Sequence, residues 1–394
     1  MFLPRSTGLA ISAPSRLVRR QPVRELSWFS GWSAPKATPP VVVDESLPVA
    51  QQTATVPAPT TSTDTVTPPF PERPAPVSPA QPSASSPAAF STVNQAEIDH
   101  FSRLSSQWWN EKGEFGLLHK MNPTRMEFVR QKIENGRVDD RGWTFATRNA
   151  PRAVGAEGRW LEGMDVLDVG CGGGLLSESL ARVGGNVLGI DASSHNIAIA
   201  SLHASQDPFL PFHSDSPLTA GKSNSVKTTG SLRYRHTSAE RLREEGKQYD
   251  VVCSMEVLEH VDSPGEFLKC LADMVKPGGH LILSTISRTP LSQLLTITLA
   301  EHVLRLVTPG THTHAKYIKP AELLAFVRDE LGGSRVWESD GDGLVDGGRE
   351  GGGVAVGEVR GIVYDPLAGK WRLWKEGVPF GDLCNYMFHV RKKA

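Results

Sequence analysis

Between residues 166 and 174 an apolar stretch runs straight into four glycines, Val166-Leu-Asp-Val-Gly-Cys-Gly-Gly-Gly174. A strand that ends in such a turn and is followed at once by a helix leaves few folds open. Glycine accepts positive φ without a Cβ clash and lets the backbone approach a ligand closely, so this is a turn built for a nucleotide. Taken alone it is a weak signal, shared by several nucleotide binders. The downstream pattern narrows it. Strand-like runs at 165–169, 186–190, 232–236, 249–254 and 280–284 alternate with helical patterns at 175–183, 194–204, 238–245 and 264–274. That alternation implies an α/β fold, a mostly parallel sheet with helices on both faces. Two further strand-like stretches, 360–364 and 386–390, close the chain.

Upstream, residues 94–110 place Ile98, Phe101, Ser105 and Trp108 on one helical face, with Leu104 and Trp109 close by. A second helix is expected over 123–135, with Pro123 suited to its first turn. The reading is of an N-terminal helical cap over 91–160 on a core domain over 161–394. Segments 205–230 (Ser, Pro and Thr) and 338–357 (Gly and Asp) read as loop insertions. Fourteen of the 29 prolines lie between Pro35 and Pro87, and residues 34–90 are mostly Pro, Ala, Ser, Thr and Val. Such a segment cannot bury enough surface to offset its ordering entropy and is expected to be a disordered linker. Residues 1–33 carry Arg5, Arg16, Arg19, Arg20 and Arg24 ahead of a first acid, Glu25, which is the composition of a mitochondrial transit peptide.

Bulk composition mainly excludes. A formal net charge of -1 gives no support for a nucleic-acid partner. The four cysteines form no CxxC pair, so neither a disulfide framework nor a cysteine metal site is expected. No run of about 18 uncharged apolar residues exists, and no membrane-spanning helix is expected.

Two acids single out the glycine turn. Asp168 stands inside the strand just before it, where a dinucleotide fold keeps an apolar residue. A carboxylate there can attract a cationic ligand, such as the aminoacyl end of a sulfonium nucleotide, or only tie down the turn through backbone N–H groups. Asp191 ends the next strand, where an acid takes ribose hydroxyls. Adenine is then expected by Thr237 to Glu240. The fourth strand leads into Met255-Glu-Val-Leu-Glu-His260, beyond the carboxyl end of the sheet where ligands of open α/β folds sit. On a helical turn, Glu256, Glu259 and His260 at i, i+3 and i+4 share one face. Such a set can bind a divalent cation, magnesium or alternatively zinc, or supply a general base.

The sequence resembles the O-methyltransferases of ubiquinone biosynthesis, bacterial and mitochondrial. The resemblance rests on Trp108-Trp109, Phe115-Gly-Leu-Leu-His119-Lys-Met-Asn122-Pro123-Thr-Arg125, the glycine turn, Met255 to His260, and Val275-Lys-Pro-Gly-Gly279. It continues through Gly310-Thr-His312, Tyr317-Ile-Lys-Pro320-Ala-Glu-Leu323 and Asn385-Tyr386, covering nearly everything from Ser91 on except the two insertions. It implies a Rossmann-like class I methyltransferase sheet with the last strand antiparallel. It also implies S-adenosylmethionine as cofactor, with Arg125 reaching its carboxylate and Asp168, Gly170, Gly172, Asp191 and Met255 around it. Glu256, Glu259 and His260 are implied as the catalytic set that holds the divalent cation. The implied acceptors are 3,4-dihydroxy-5-polyprenylbenzoate and demethylubiquinol, and the implied setting is a biosynthetic complex on the matrix side of the mitochondrial inner membrane. His119 and His312 are further base candidates, each more readily read as structural.

Residues 290–307 put Leu291, Leu294, Leu295, Leu299, Val303, Leu306 and Val307 on one helical face. This is either a lid packed on the core or a peripheral membrane-docking helix, which a polyprenyl substrate favours. Two other functions fit the same chain: a catechol-type methyltransferase for a soluble phenol, and a non-catalytic cofactor-binding scaffold subunit.

Overall fold

The computed structural model describes residues 91–135, 158–213, 230–338, 357–375 and 379–394. The transit segment 1–33, the linker 34–90, and the inner parts of the cap (136–157) and of both insertions (214–229 and 339–356) lie outside them. Two helices come first, α1 (Gln95–Leu104) and α2 (Gly116–Asn135). There follow β1 (Asp165–Val169), α3 (Leu175–Arg182), β2 (Asn186–Asp191), α4 (Ser194–Gln206), β3 (Ser231–His236), α5 (Ala239–Glu244), β4 (Tyr249–Met255), α6 (Pro264–Asp273) and β5 (Val275–Ile286). One α-helical turn (Pro290–Ser292) runs into a π-helix (Gln293–Val303), followed by α7 (Pro320–Asp329), β6 (Trp337–Glu338), β7 (Glu358–Asp365), β8 (Lys370–Leu373) and β9 (Asn385–Lys392).

The strands form one sheet in the order β3-β2-β1-β4-β5-β9-β7-β8, with β6 also paired to β9. β1 to β5 run parallel, and β9 enters antiparallel to β5 with His280 opposite Arg391 and Ile286 opposite Asn385. β1 and β4 are buried almost end to end because helices cover both faces of a parallel sheet. The α/β class, the mostly parallel sheet and the antiparallel last strand are therefore as the sequence implies. The chain reverses strand order beside β1, so the crevice at the carboxyl ends of β1 and β4 is where such a sheet takes a ligand.

Three elements differ from the sequence reading. The second helix begins at Gly116, seven residues before Pro123, which sits inside it. The first helix stops at Leu104, and a 3-10 turn carries Ser105 to Gln107 toward the tryptophans. Residues 293–303 are π-helical, with the Leu304 N–H reaching the Leu299 carbonyl five residues back, so the 3.6-residue apolar stripe does not hold through them. α7, β6 and β8 add elements that periodicity did not mark out.

α2 matters for function because it carries Arg125, and it is pinned from both ends of that turn. The Thr124 hydroxyl donates to the Trp371 carbonyl (3.1 Å), and the Trp371 indole donates to the Leu117 carbonyl (3.1 Å). Lys132, seven residues past Arg125, forms an ion pair with Glu358 of β7, and the two side chains are 4% and 3% exposed. A buried pair of this kind is costly to break from one side, since the remaining charge has no water. Replacing Lys132 by Met is expected to lower the unfolding free energy by about 3–5 kcal/mol, and the double change Lys132→Met, Glu358→Met to recover most of it. Urea denaturation of the three proteins checks this.

Candidate active site

One cavity of about 580 Å³ opens at the carboxyl edge of the sheet, and the nine residues expected to hold cofactor and cation line it: Arg125, Asp168, Gly170, Gly172, Asp191, Met255, Glu256, Glu259 and His260. Its lining also includes the apolar Leu291, Leu295, Leu299, Ile362 and Trp371 among others.

The glycine turn is held by β2 and covered by the cap. Gly170 and Cys171 both donate N–H to the Ile190 carbonyl (2.8 and 3.0 Å). Gly172 has φ +55°, and a Cβ there would fall 2.2 Å from the Trp108 ring, so two independent constraints demand glycine. Trp108 stacks on Phe115 (3.9 Å between centroids) and donates its indole N–H to Asn196 (3.0 Å). Trp109 stacks on His203 and donates to the Gly173 carbonyl (3.1 Å). The tryptophan pair thus fastens the N-terminal helices over the turn.

Of the two aspartates, it is Asp191 that braces the turn: one oxygen accepts from the Gly172 N–H (2.9 Å), the other from the Ser193 N–H (2.7 Å) and the Asn196 amide (3.2 Å). Burial raises its pKa, against those hydrogen bonds. Asp168 accepts from the Ser177 hydroxyl (2.5 Å) at the start of α3, with no glycine N–H on it among the described residues. Its carboxyl is pushed up to about 6, first by burial, while the Ser177 bond and Arg125 pull the other way. Arg125 is 4% exposed, and its Nε and one terminal nitrogen have no partner among the described residues. Burial lowers its pKa despite the nearby charges of Glu256, Asp168 and Glu259.

Glu256, Glu259 and His260 do not share a helical face, because no helix forms there. Residues 256–260 are an irregular turn closed by the His260 N–H on the Val257 carbonyl (2.9 Å), and Glu256 sits at φ +57°. A glutamate in that region costs on the order of 1–3 kcal/mol and persists only where neighbours impose it. Ser284 imposes it here: its hydroxyl donates to the Glu256 carboxylate (2.6 Å), and its carbonyl accepts the Glu256 N–H (3.0 Å). Asn385 donates to the second carboxylate oxygen (3.4 Å). Glu259 accepts from Thr285 (2.8 Å), while its Oε1 is buried without a partner, and burial together with Glu256 raises its pKa to about 8. His260 points elsewhere, with Nδ1 on Glu97 of α1 (3.2 Å); burial lowers its pKa. Burial opposes ionisation of Glu97, but His260 and Lys316 outweigh it and hold its pKa at about 2. Among the described residues no group of three or more His, Cys, Asp or Glu is arranged to hold a metal ion. The partners that fix this cluster, Glu97, Ser284, Thr285 and Asn385, escaped the sequence reading. Glu97 is 163 positions from His260, and no local pattern announces such a contact. Of the remaining histidines, His119 is bonded through Nε2 to the Trp108 carbonyl (2.7 Å).

A methyltransferase-domain family model matches residues 145–329. The chain is 39% identical over 306 residues to the mitochondrial ubiquinone biosynthesis O-methyltransferase of Schizosaccharomyces pombe, covering 76% of this chain and 87% of that one. To the ubiquinone biosynthesis O-methyltransferase of Brucella anthropi it is 36% identical over 283 residues, 72% and 91% of the two chains. Among solved structures, the magnesium protoporphyrin IX methyltransferase of Synechocystis PCC 6803 aligns over 76% of this chain and 95% of its own, with 16% identity and a TM-score of 0.40.

Asp168 gives the site a pH signature. Its folded pKa of about 6 lies above its ordinary 3.8, so the folded state holds the proton more tightly. The stability this provides is complete below pH 3.8 and is lost as pH rises through 6. In ligand-free protein, Asp168→Asn is therefore expected to gain stability relative to wild type across that window, by up to ~3 kcal/mol. Denaturant midpoints at intervals from pH 4.5 to 7.5 check the trend.

Proposed function

The chain belongs to the ubiquinone biosynthesis O-methyltransferases, and from that membership we propose that it moves a methyl group from S-adenosylmethionine onto a ring hydroxyl of a polyprenylated catechol. The acceptors in this reading are 3,4-dihydroxy-5-polyprenylbenzoate and demethylubiquinol. The observation that carries it is the character of the cavity: three carboxylates, two of them buried, around one buried guanidinium, in a lining whose other residues include many apolar side chains. A cation with a carboxylate of its own suits the charged groups, and a ring with a hydrocarbon tail suits the apolar ones.

S-Adenosylmethionine, when bound, supplies an electrophilic methyl on a sulfonium. The chain's residues hold and orient it. Arg125, with two nitrogens lacking partners, is placed for the donor's carboxylate, a task for which a planar guanidinium is pre-organised. Asp168 faces the same space and suits the ammonium. Asp191 has given three of roughly four lone-pair sites to the turn, which leaves room for a ribose hydroxyl. Gly170 and Met255 shape the walls at the ends of β1 and β4. Water is kept from the reacting centre by the cap helices and the apolar lining.

We include a divalent cation, magnesium or alternatively zinc, at Glu256, Glu259 and His260 as part of this reading. The partnerless Glu259 Oε1 and the repulsion between the two glutamates support it; the engagement of His260 by Glu97 does not, and the three side chains do not converge. Such an ion would polarise the acceptor oxygen. The setting proposed is the matrix face of the mitochondrial inner membrane, alongside other enzymes of the same biosynthesis, with the apolar surface of 290–307 against lipid. The exposed Leu294, Leu299 and Val303 support that contact, as do the arginine-rich N-terminus and the mitochondrial relative. No described helix is long and apolar enough to cross a membrane.

The test is a methyl-transfer assay on purified chain with and without chelator, using a prenylated catechol in vesicles and a soluble catechol in solution. Turnover at least tenfold faster on the prenylated acceptor is expected, with Asp191→Ala weakening S-adenosylhomocysteine binding by at least tenfold. Faster turnover of the soluble catechol would reassign the acceptor, and no turnover of either would leave a binding protein.

A further inference from the structure

The segment 290–307 is an apolar surface with one acid in it, and that acid is fully buried. Glu301 is 0% exposed while Leu294, Leu299 and Val303 around it are 54%, 38% and 63% exposed, the reverse of the usual partition. The π-helical winding, with five-residue hydrogen bonding, is what turns Glu301 inward from this face. There its carboxylate is saturated by the turn that follows. One oxygen accepts from the His312 N–H (2.9 Å) and from His312 Nδ1 (2.7 Å), the other from the Gly310 N–H (2.8 Å). Burial favours the neutral acid, yet these bonds outweigh it and hold the Glu301 pKa below its ordinary value. An ionised carboxylate only accepts, so Nδ1 of His312 carries the hydrogen, and in the neutral imidazole this leaves the lone pair on Nε2.

The His312 side chain lines the cavity together with Met255, Glu256 and Glu259, and no described group hydrogen-bonds its Nε2. Of the other candidate imidazoles, His119 gives its Nε2 to a backbone carbonyl, and His260, paired through Nδ1 with Glu97, is the one assigned above to the divalent cation. We propose that His312, oriented by Glu301, is the general base that takes the acceptor's hydroxyl proton. This rests on the O-methyl transfer reading. As the O–H bond breaks, its proton passes to Nε2. The oxygen's electron pair forms the new O–CH3 bond, and the C–S pair stays on sulfur. The sulfonium's positive charge thereby ends as an imidazolium, stabilised by the Glu301 carboxylate. His312 is the catalytic residue and Glu301 its positioning residue.

The experiment compares wild type, His312→Asn and Glu301→Gln on two acceptors: an ordinary catechol, and a nitro-substituted catechol that ionises at assay pH unaided. Asn keeps a donor toward Glu301 but has nothing in place of Nε2. With the ordinary catechol, kcat of His312→Asn is expected to fall roughly 10²–10⁴-fold. With the nitrocatechol the loss is expected to shrink below about tenfold, since no proton remains to be removed. S-Adenosylhomocysteine affinity by calorimetry should stay within about twofold of wild type. Equal losses on both acceptors, or no loss on either, would overturn the assignment. Should His312→Asn fail to fold, Glu301→Gln must still show the larger loss on the ordinary catechol, and an acceptor-independent loss there would overturn it as well. A wild-type chain inactive on both acceptors would sink the methyl-transfer reading itself, an outcome distinct from any variant effect.

Discussion

Two buried carboxylates, Asp168 and Glu259, and the half-buried Glu256 share one buried guanidinium, Arg125, at the carboxyl edge of the sheet. Burying more negative than positive charge is unfavourable in an empty protein, and the pKa values record it: about 6 for Asp168 and about 8 for Glu259. Such a pocket is stable only because strands β1, β4 and β5 force those residues together, and it becomes balanced when a cation enters. Binding and strain are thus two sides of one arrangement. The left-handed backbone of Glu256, held by Ser284, belongs to the same picture, since strain of that kind gathers where function imposes it.

The rest of the architecture serves to aim this pocket. α2 delivers Arg125 from outside the sheet and is locked to the C-terminal strands through Lys132 and Trp371. The tryptophan pair closes the cap over the glycine turn, and Asp191 holds the turn from below. The π-helix contributes twice, with leucines to the outer surface and a buried glutamate toward His312. An apolar surface leading into a charged cavity is what an acceptor with a greasy tail and a polar head requires.

Much of this was legible in the residues. The strand-turn-helix around Gly170 and the βα alternation gave the sheet, because both depend on patterns a few residues long. All nine proposed site residues do line one cavity, eight because the carboxyl ends of β1, β2 and β4 meet there by topology and Arg125 because α2 brings it there. What was hidden depends on contacts between distant segments or on local backbone choices. The spacing of Glu256, Glu259 and His260 suggested one helical face, but the chain turns irregularly after β4 and hands Glu256 to β5 and β9, Glu259 to β5, and His260 to α1. That Asp191 rather than Asp168 ties down the turn was hidden for the same reason, as only the fold decides which one reaches the Gly172 N–H. The apolar character of 290–307 was plain, yet its π-helical winding, which breaks the 3.6-residue stripe, was invisible to that template, and with it the inward turn of Glu301.

The central claim is that a cationic methyl donor enters a pocket whose carboxylates partly hold protons when it is empty. Calorimetry of S-adenosylmethionine binding at pH 6, repeated in buffers of different ionisation enthalpy, tests this most directly. The account predicts binding with net proton release of at least roughly half a proton per site, as the entering cation lowers the carboxyl pKa values. Binding with no proton release, or no binding by folded protein, would contradict it.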